Sequence, residues 1–314
     1  EEGIEDTRRL VNHFSLNVAH PSRVILYGGS MGGAVTLKSI EMYPDLYDGA
    51  VPMCAVASGG TRNADFKLDF TVASAAAFGW KPGWGSVGDL PEGDEGFAAY
   101  WDWLSTFKEH ISQPNNRARL EFIRLVNDIP LGGFYEPQSA QIPLPGVLLN
   151  AMLGYYMRYE LEGRAGGPAA QNADHVYSLS ADDRARLQGL GMTKGEMDEL
   201  LAEMNAMATV QADPSARQYL ARSADYNGRI EVPVLMLHNV NDPLTIVEGT
   251  DVYYEIVAAQ GREDHLVRLY TTRDGHCNFT VDQVSAMFEA MDSGLDTCVA
   301  PNPEEDFSAN LELD

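Results

Sequence analysis

The stretch VILYGGSMGGAVTL, residues 24 to 37, constrains what this chain can fold into more than any other. Apolar β-forming residues end in glycines, one serine stands among them, and a helical pattern begins at once. A strand that turns this sharply into a helix forces its corner residue into strained φ/ψ. Neighbours two positions away must then lack Cβ atoms so that the chain segments can approach. Such a corner lifts the Ser30 hydroxyl above the sheet edge. It also aims the first N–H groups of the helix at the same point, where a negatively charged intermediate is stabilised.

Gly28-Gly29-Ser30-Met31-Gly32 fits G-x-S-x-G, the pattern of a nucleophile elbow. Two other readings compete with it. A glycine-rich strand-to-helix turn can cradle a phosphate, but no G-x-G-x-x-G and no Lys-Ser/Thr pair follows these glycines. A plain tight turn remains open until partners for the serine are found.

The flanking segments set the fold class. Leu10, Val11, Phe14 and Val18 lie at helical spacing, so residues 5 to 18 read as an amphipathic helix. SRVILY is a short strand, AVTLKSIEMYP a helix closed by Pro44, and GAVPMCAVAS a buried strand. VPVLMLHN (232 to 239) and LVRLYTT (266 to 272) are strands of the same unbroken apolar kind, separated by a helix that ends at Gly261. Strands that alternate with helices and lack in/out alternation indicate a parallel sheet covered on both faces, an α/β class.

Between about 60 and 228 the strand signal fades. Helices are expected over 96–111, 117–128, 145–162, 180–190 and 194–210, after the passage FGWKPGWGSVGDLPEGDEG. The expected organisation is a core of 1–58 and 229–300, a mainly helical insertion over 59–228, and an acidic tail over 301–314. Aromatics of the insertion could line an apolar substrate pocket, Trp80, Trp84 and Tyr155 foremost, with Gly29 beside the serine. Packing of the insertion's own core is the alternative for each of these aromatics.

A serine hydroxyl needs a base, and the base an orienting carboxylate. In VPVLMLHNVNDPLTIVEG, Asp242 falls in a turn just beyond a strand's carboxyl end. In LVRLYTTRDGHCNF, His276 follows the last strand after Gly275. Functional groups collect at the carboxyl ends of parallel strands, and Ser, Asp, His is the chain order such a site requires. The competitors fit less well. His238 lies within the end of a strand, Asp274 is too close to His276 in sequence, and Glu248 belongs to the next helix. The expected set is Ser30, Asp242 and His276, with the Met31 N–H as an oxyanion donor.

Composition narrows the partners. The formal net charge is −24, so nothing basic is available for nucleic acid or an anionic membrane surface. No apolar run approaches a membrane span. The opening EEGIEDTRRL shows no signal-peptide pattern. The three cysteines, Cys54, Cys277 and Cys298, allow at most one intrachain disulfide. No C-x-x-C or H-E-x-x-H is present, so neither a metal nor a cofactor is expected.

With these motifs together, the chain resembles the α/β-hydrolase superfamily over residues 1 to 58 and 229 to 293, with the helical middle where that family carries its cap domain. HNVNDPL is similar to the family's acid turn. DGHCNFT is similar to the histidine loop of secreted esterases of the tannase and feruloyl esterase kind. Those enzymes carry a cysteine directly before the serine, bonded to the one after the histidine. Gly29 stands there in this chain, so that disulfide cannot form; a Cys277–Cys298 pair across the helix at 281–291 and two free thiols are the two expectations left open. GGSMGGA is also similar to the elbow of homoserine acetyltransferases.

The resemblance implies an α/β-hydrolase fold with a mostly parallel sheet and a helical cap. It implies a serine esterase that cleaves carboxylic esters of small molecules with a bulky apolar or aromatic part. An acyltransferase of the homoserine type, or a non-catalytic binding protein on the same fold, are the alternatives. In that family further strands precede the elbow and supply a second oxyanion donor. Both are therefore expected from an N-terminal portion outside this sequence, possibly a separately cleaved chain. The acidic, lysine-poor surface and the secreted relatives lead to the expectation of a soluble, secreted or extracellular protein.

Overall fold

The computed structural model describes residues 2–131 and 144–297. In chain order the elements are α1 (Glu2–Asn17), β1 (Ile25–Gly29), α2 (Met31–Met42), β2 (Gly49–Met53), α3 (Gly60–Phe78) and α4 (Gly93–Ser112). Then follow α5 (Arg117–Val126), α6 (Pro145–Ala165), α7 (Ala181–Gly189), α8 (Lys194–Ala206) and α9 (Pro214–Ala224). The chain closes with β3 (Val234–Asn239), α10 (Glu248–Ala258), β4 (Leu266–Thr271) and α11 (Val281–Thr297). It divides into two compact units, one made of the residues up to Gly59 together with those from Ser223, the other of Gly60–Arg222.

The first unit is built on a four-stranded sheet in the order β1-β2-β3-β4, every pair parallel. The class is α/β, as the unbroken apolar strands imply. β2 and β3 are buried at every residue, whereas β1 and β4, at the two edges, are only partly so. Alternate residues serve opposite faces. Ala50, Val234 and Met236 pack with Leu37 and Ile40 of α2 and Tyr253 of α10. Val51, Leu235 and Leu237 pack with Met287 and Met291 of α11. Gly29 pairs with Met53 and Asn239 with Thr271, so the strands finish at a common edge.

One expectation changes in this unit. The apolar face foreseen for α1 is largely outward: Leu10, Phe14 and Val18 are exposed, and Ile4 is the buried residue of the helix. Val11 alone of the expected stripe packs against the sheet-covering core.

The second unit is helical. α3 forms its centre, with twelve of its nineteen residues buried. Trp103, Phe107 and Tyr155 stack beside it at centroid separations of 5.3 and 5.4 Å. α7 and α8 open with reciprocal capping boxes, Ser180 with Asp183 and Thr193 with Glu196, which satisfy two end-of-helix donors each. None of the described helices is long and apolar enough to cross a membrane.

Candidate active site

The corner after β1 is strained as the sequence implies. Ser30 takes φ 57° and ψ −122°, a backbone state that costs of order 1–3 kcal/mol and persists only where its surroundings impose it. Here they do. The Ser30 N–H donates to the Met53 carbonyl at 3.0 Å, stitching the corner to β2. A Cβ on Gly28 would lie 2.4 Å from the Gly32 carbonyl oxygen, and one on Gly33 would lie 2.7 Å from the Ala55 Cβ. The sequence pattern places the second steric demand on Gly32, but a Cβ there meets nothing within 4 Å among the described residues. Gly28 and Gly33 carry the close approaches.

Asp242 sits in the turn after β3, fully buried. Its Oδ1 accepts from the backbone N–H groups of Leu244 at 2.9 Å and Thr245 at 3.0 Å. Its Oδ2 lies 2.8 Å from the Thr245 hydroxyl and 2.8 Å from His276 Nδ1. A carboxylate can only accept, so Nδ1 carries the proton and Nε2 presents its lone pair. Nε2 lies 2.8 Å from Ser30 Oγ. The chain Asp242–His276–Ser30 is continuous at hydrogen-bond distance, and all three residues belong to the first unit.

Two asparagines that the sequence reading overlooks hold the acid turn to the histidine loop. Asn239 Nδ2 donates to the carbonyls of Arg273 and Asn278 at 3.2 and 3.0 Å. Asn241 Nδ2 donates to Asp274 Oδ1 at 2.7 Å, and its carbonyl accepts from the Gly275 N–H. The available signal is the doublet flanking the acid in HNVND. Asp274 is thus engaged with Asn241, and Glu248 opens α10.

His238 is fully buried and bonds through Nε2 to the Thr245 carbonyl at 2.7 Å. Burial lowers its pKa below the ordinary imidazole range. It supports the acid turn from behind. Met31 opens α2, so its N–H is one of the first-turn donors that have no acceptor within the helix.

The disulfide differs from the expected one. Cys277 is bonded to Cys54, with Cα atoms 5.3 Å apart, and Cys298 lies outside the described residues. The reason is the position of β2. Cys54 follows its last residue, directly beside the strand that ends in Gly29, and a Cβ on Gly29 would lie 3.6 and 3.7 Å from the two sulfurs. The partner of Cys277 thus comes from the residue that follows β2, the strand paired with β1. Both cysteines take positive φ, 41° and 55°. Among the described residues, Cys54, His276 and Cys277 are the side chains whose ligand-type atoms lie within 4.8 Å of one another.

Of the expected pocket residues, Gly29 is exposed beside the disulfide. Trp80, Trp84 and Tyr155 lie in the helical unit, where Trp84 and Tyr155 are buried. Their rings pack on one another, Trp80 against Trp84 at 5.2 Å and against Tyr155 at 6.2 Å. The Trp84 indole N–H donates to Asp102 and the Tyr155 hydroxyl to the Trp84 carbonyl.

No family model matches the chain. It is 26% identical to the o-phthalyl amidase of Xanthobacter agilis over 345 aligned positions, which take in 96% of this chain and 74% of that protein. Among solved structures it is similar to feruloyl esterase B from Aspergillus oryzae, at 15% identity and a TM-score of 0.37 over 96% of this chain. A second esterase from Aspergillus oryzae gives 14% identity and a TM-score of 0.35 over the same share. The chain spans 64% and 63% of the lengths of these two esterases.

Proposed function

We propose that this chain is a serine hydrolase that cleaves carboxylic ester or amide bonds through an acyl-enzyme on Ser30. The observation that carries the reading is the relay of two 2.8 Å contacts from Asp242 through His276 to the hydroxyl of a strained corner serine. His276 Nε2 takes the Ser30 proton as Oγ attacks the acyl carbon. Asp242 keeps the imidazole in the required tautomer and stabilises its protonated form. The Met31 N–H, at the positive end of α2, donates to the developing oxyanion. The imidazolium then protonates the departing alcohol or amine. Water, deprotonated by the same nitrogen, releases the acid.

The esterase reading follows from the histidine loop and elbow, with an aromatic or bulky acyl part as the expected substrate. Similarity at 26% identity over 96% of the chain to a protein named o-phthalyl amidase favours a second reading, an amide of an aromatic acid. The two share the relay and differ in the leaving group. The Cys54–Cys277 bond supports an oxidising, extracytoplasmic setting, where disulfides persist.

A matched aryl ester and aryl amide of one aromatic acid, offered to the protein and to Ser30→Ala, tests both points. The variant loses turnover by roughly 10,000-fold or more on whichever substrate is cleaved. The ratio of kcat/KM for the pair assigns the bond. Undiminished turnover in Ser30→Ala contradicts the proposal.

A further inference from the structure

Two groups with no part in forming the acyl-enzyme lie against the base, the two disulfide sulfurs, and the space in front of Gly29 borders both. Cys277 Sγ lies 3.5 Å from His276 Nε2, the same nitrogen that faces Ser30. Tetrahedral zinc, with bonds of about 2.3 Å to sulfur and about 2.05 Å to nitrogen, holds these two ligands about 3.5 Å apart. That edge of the tetrahedron is therefore already set. Cys54 Sγ completes a face, since all three ligand atoms fall within 4.8 Å.

A second observation points the same way. A zinc-binding histidine commonly donates its other ring N–H to a carboxylate, which fixes the tautomer and raises the basicity of the ligating nitrogen. Asp242 Oδ2, 2.8 Å from Nδ1, stands in that relation to His276. Gly29 contributes no side chain to the space in contact with both sulfurs. Cys54 and His276 are buried, so a bound ion would be shielded on the protein side.

We propose that reduction of the Cys54–Cys277 bond creates a Cys2His site for a soft divalent cation, zinc foremost, centred on the Nε2 of His276. A dithiol supplies two electrons and two protons, closing to its own disulfide while Cys54 and Cys277 become thiols. The ion then displaces the two thiol protons to solvent, and the sulfurs open to about 3.8 Å, the tetrahedral spacing for two thiolates. With Cα atoms 5.3 Å apart, rotation of the two side chains provides that opening. The metal takes the lone pair that would accept the Ser30 proton. The oxidised chain is thus competent and the reduced, zinc-loaded chain is blocked. The block, but not the site, rests on the function proposed above.

The test uses the full chain carrying Cys298→Ser, so that only these two sulfurs are counted. One portion stays oxidised. The other is reduced with a trialkylphosphine, which takes up oxygen from water as the two thiols form, and is then freed of reductant. Cobalt(II) is the probe. The reduced protein binds one ion per chain, with thiolate-to-metal charge-transfer bands and the intense visible bands of tetrahedral cobalt. The oxidised protein, whose two remaining sulfurs are bonded to each other, shows neither. In reduced protein Asp242→Asn weakens binding by roughly 10- to 100-fold, and His276→Gln removes the tetrahedral signature.

Zinc displaces the cobalt and stops hydrolysis by the reduced protein while leaving the oxidised protein active. Reduced protein without thiolate bands overturns the proposal. So does the same signature at undiminished affinity in His276→Gln, or loss of native circular dichroism on reduction alone. Full cobalt binding by a chain that hydrolyses nothing supports the site and counts against the proposed function alone.

Discussion

A methyl group on Gly28 would sit 2.4 Å from a backbone carbonyl, and one on Gly32 would touch nothing among the described residues. Both glycines belong to one five-residue pattern, yet only one is sterically required. Gly28→Ala therefore pushes the end of β1 away from α2 and costs roughly 1–3 kcal/mol or more, as overpacking does. Gly32→Ala adds a good helix former to the first turn of α2 and gains roughly 0.5–1 kcal/mol. Urea unfolding of the two variants checks this, and equal destabilisation by both contradicts the assignment of strain. The corner at Ser30 is readable from sequence because a β-run, two glycines and a helix meet there, while its chemistry becomes readable only with the turns that carry Asp242 and His276. That the second close contact belongs to Gly33 is not readable, because it depends on Ala55 at the end of the neighbouring strand.

At the scale of elements, the site is two loops held to each other before either meets the serine. The acid turn after β3 and the histidine loop after β4 are joined through Asn239 and Asn241. The Thr245 hydroxyl lies between Asp242 Oδ2 and the Cys54 carbonyl. Thr245→Val removes a donor to a buried carboxylate, a bond worth about 1.5–3 kcal/mol. We expect kcat to fall by roughly 10- to 100-fold with KM little changed. Steady-state kinetics check this, and a raised KM at constant kcat would contradict a role in holding the acid.

The same scale shows where sequence patterns fail. α3 escapes a periodicity reading because its second half, from Phe70 to Ala77, is buried at every residue and presents no polar stripe. α7 and α8 fall within two of the expected helical stretches, and the structure adds a Ser or Thr cap three residues before an acid at each. The Cys54–Cys277 bond depends on which strand lies beside β1, a tertiary fact that the spacing of three cysteines does not hold.

Over the whole molecule, buried ionisable groups pull stability in opposite directions against a formal charge of −24. Burial raises the Asp69 carboxyl to about 6, although the Tyr177 hydroxyl bonds to it at 2.5 Å. A folded pKa above the unfolded value of 3.8 gives a contribution that is full below 3.8 and lost as pH rises through about 6. His238 acts in the opposite sense. Its folded pKa lies below the ordinary 6.5, so its contribution is present above 6.5 and lost as pH falls. Asp69→Asn keeps an oxygen for Tyr177 and removes the charge. Its melting temperature should gain on that of the parent as pH rises from about 4 to about 6 and level off above, the window between the unfolded value of 3.8 and the raised carboxyl. A gain that shrinks with rising pH contradicts the burial assigned to Asp69.

The proposed hydrolysis turns on one atom, Ser30 Oγ, which lies 2.8 Å from His276 Nε2 at a strained corner. A fluorophosphonate reports on that atom without knowledge of the substrate, because it phosphonylates a serine that has a working base. Peptide mapping of the treated protein by mass spectrometry should place one adduct on the peptide containing Ser30, absent from Ser30→Ala and greatly slowed in His276→Gln. An adduct on another residue, or none on the folded oxidised protein, would contradict it.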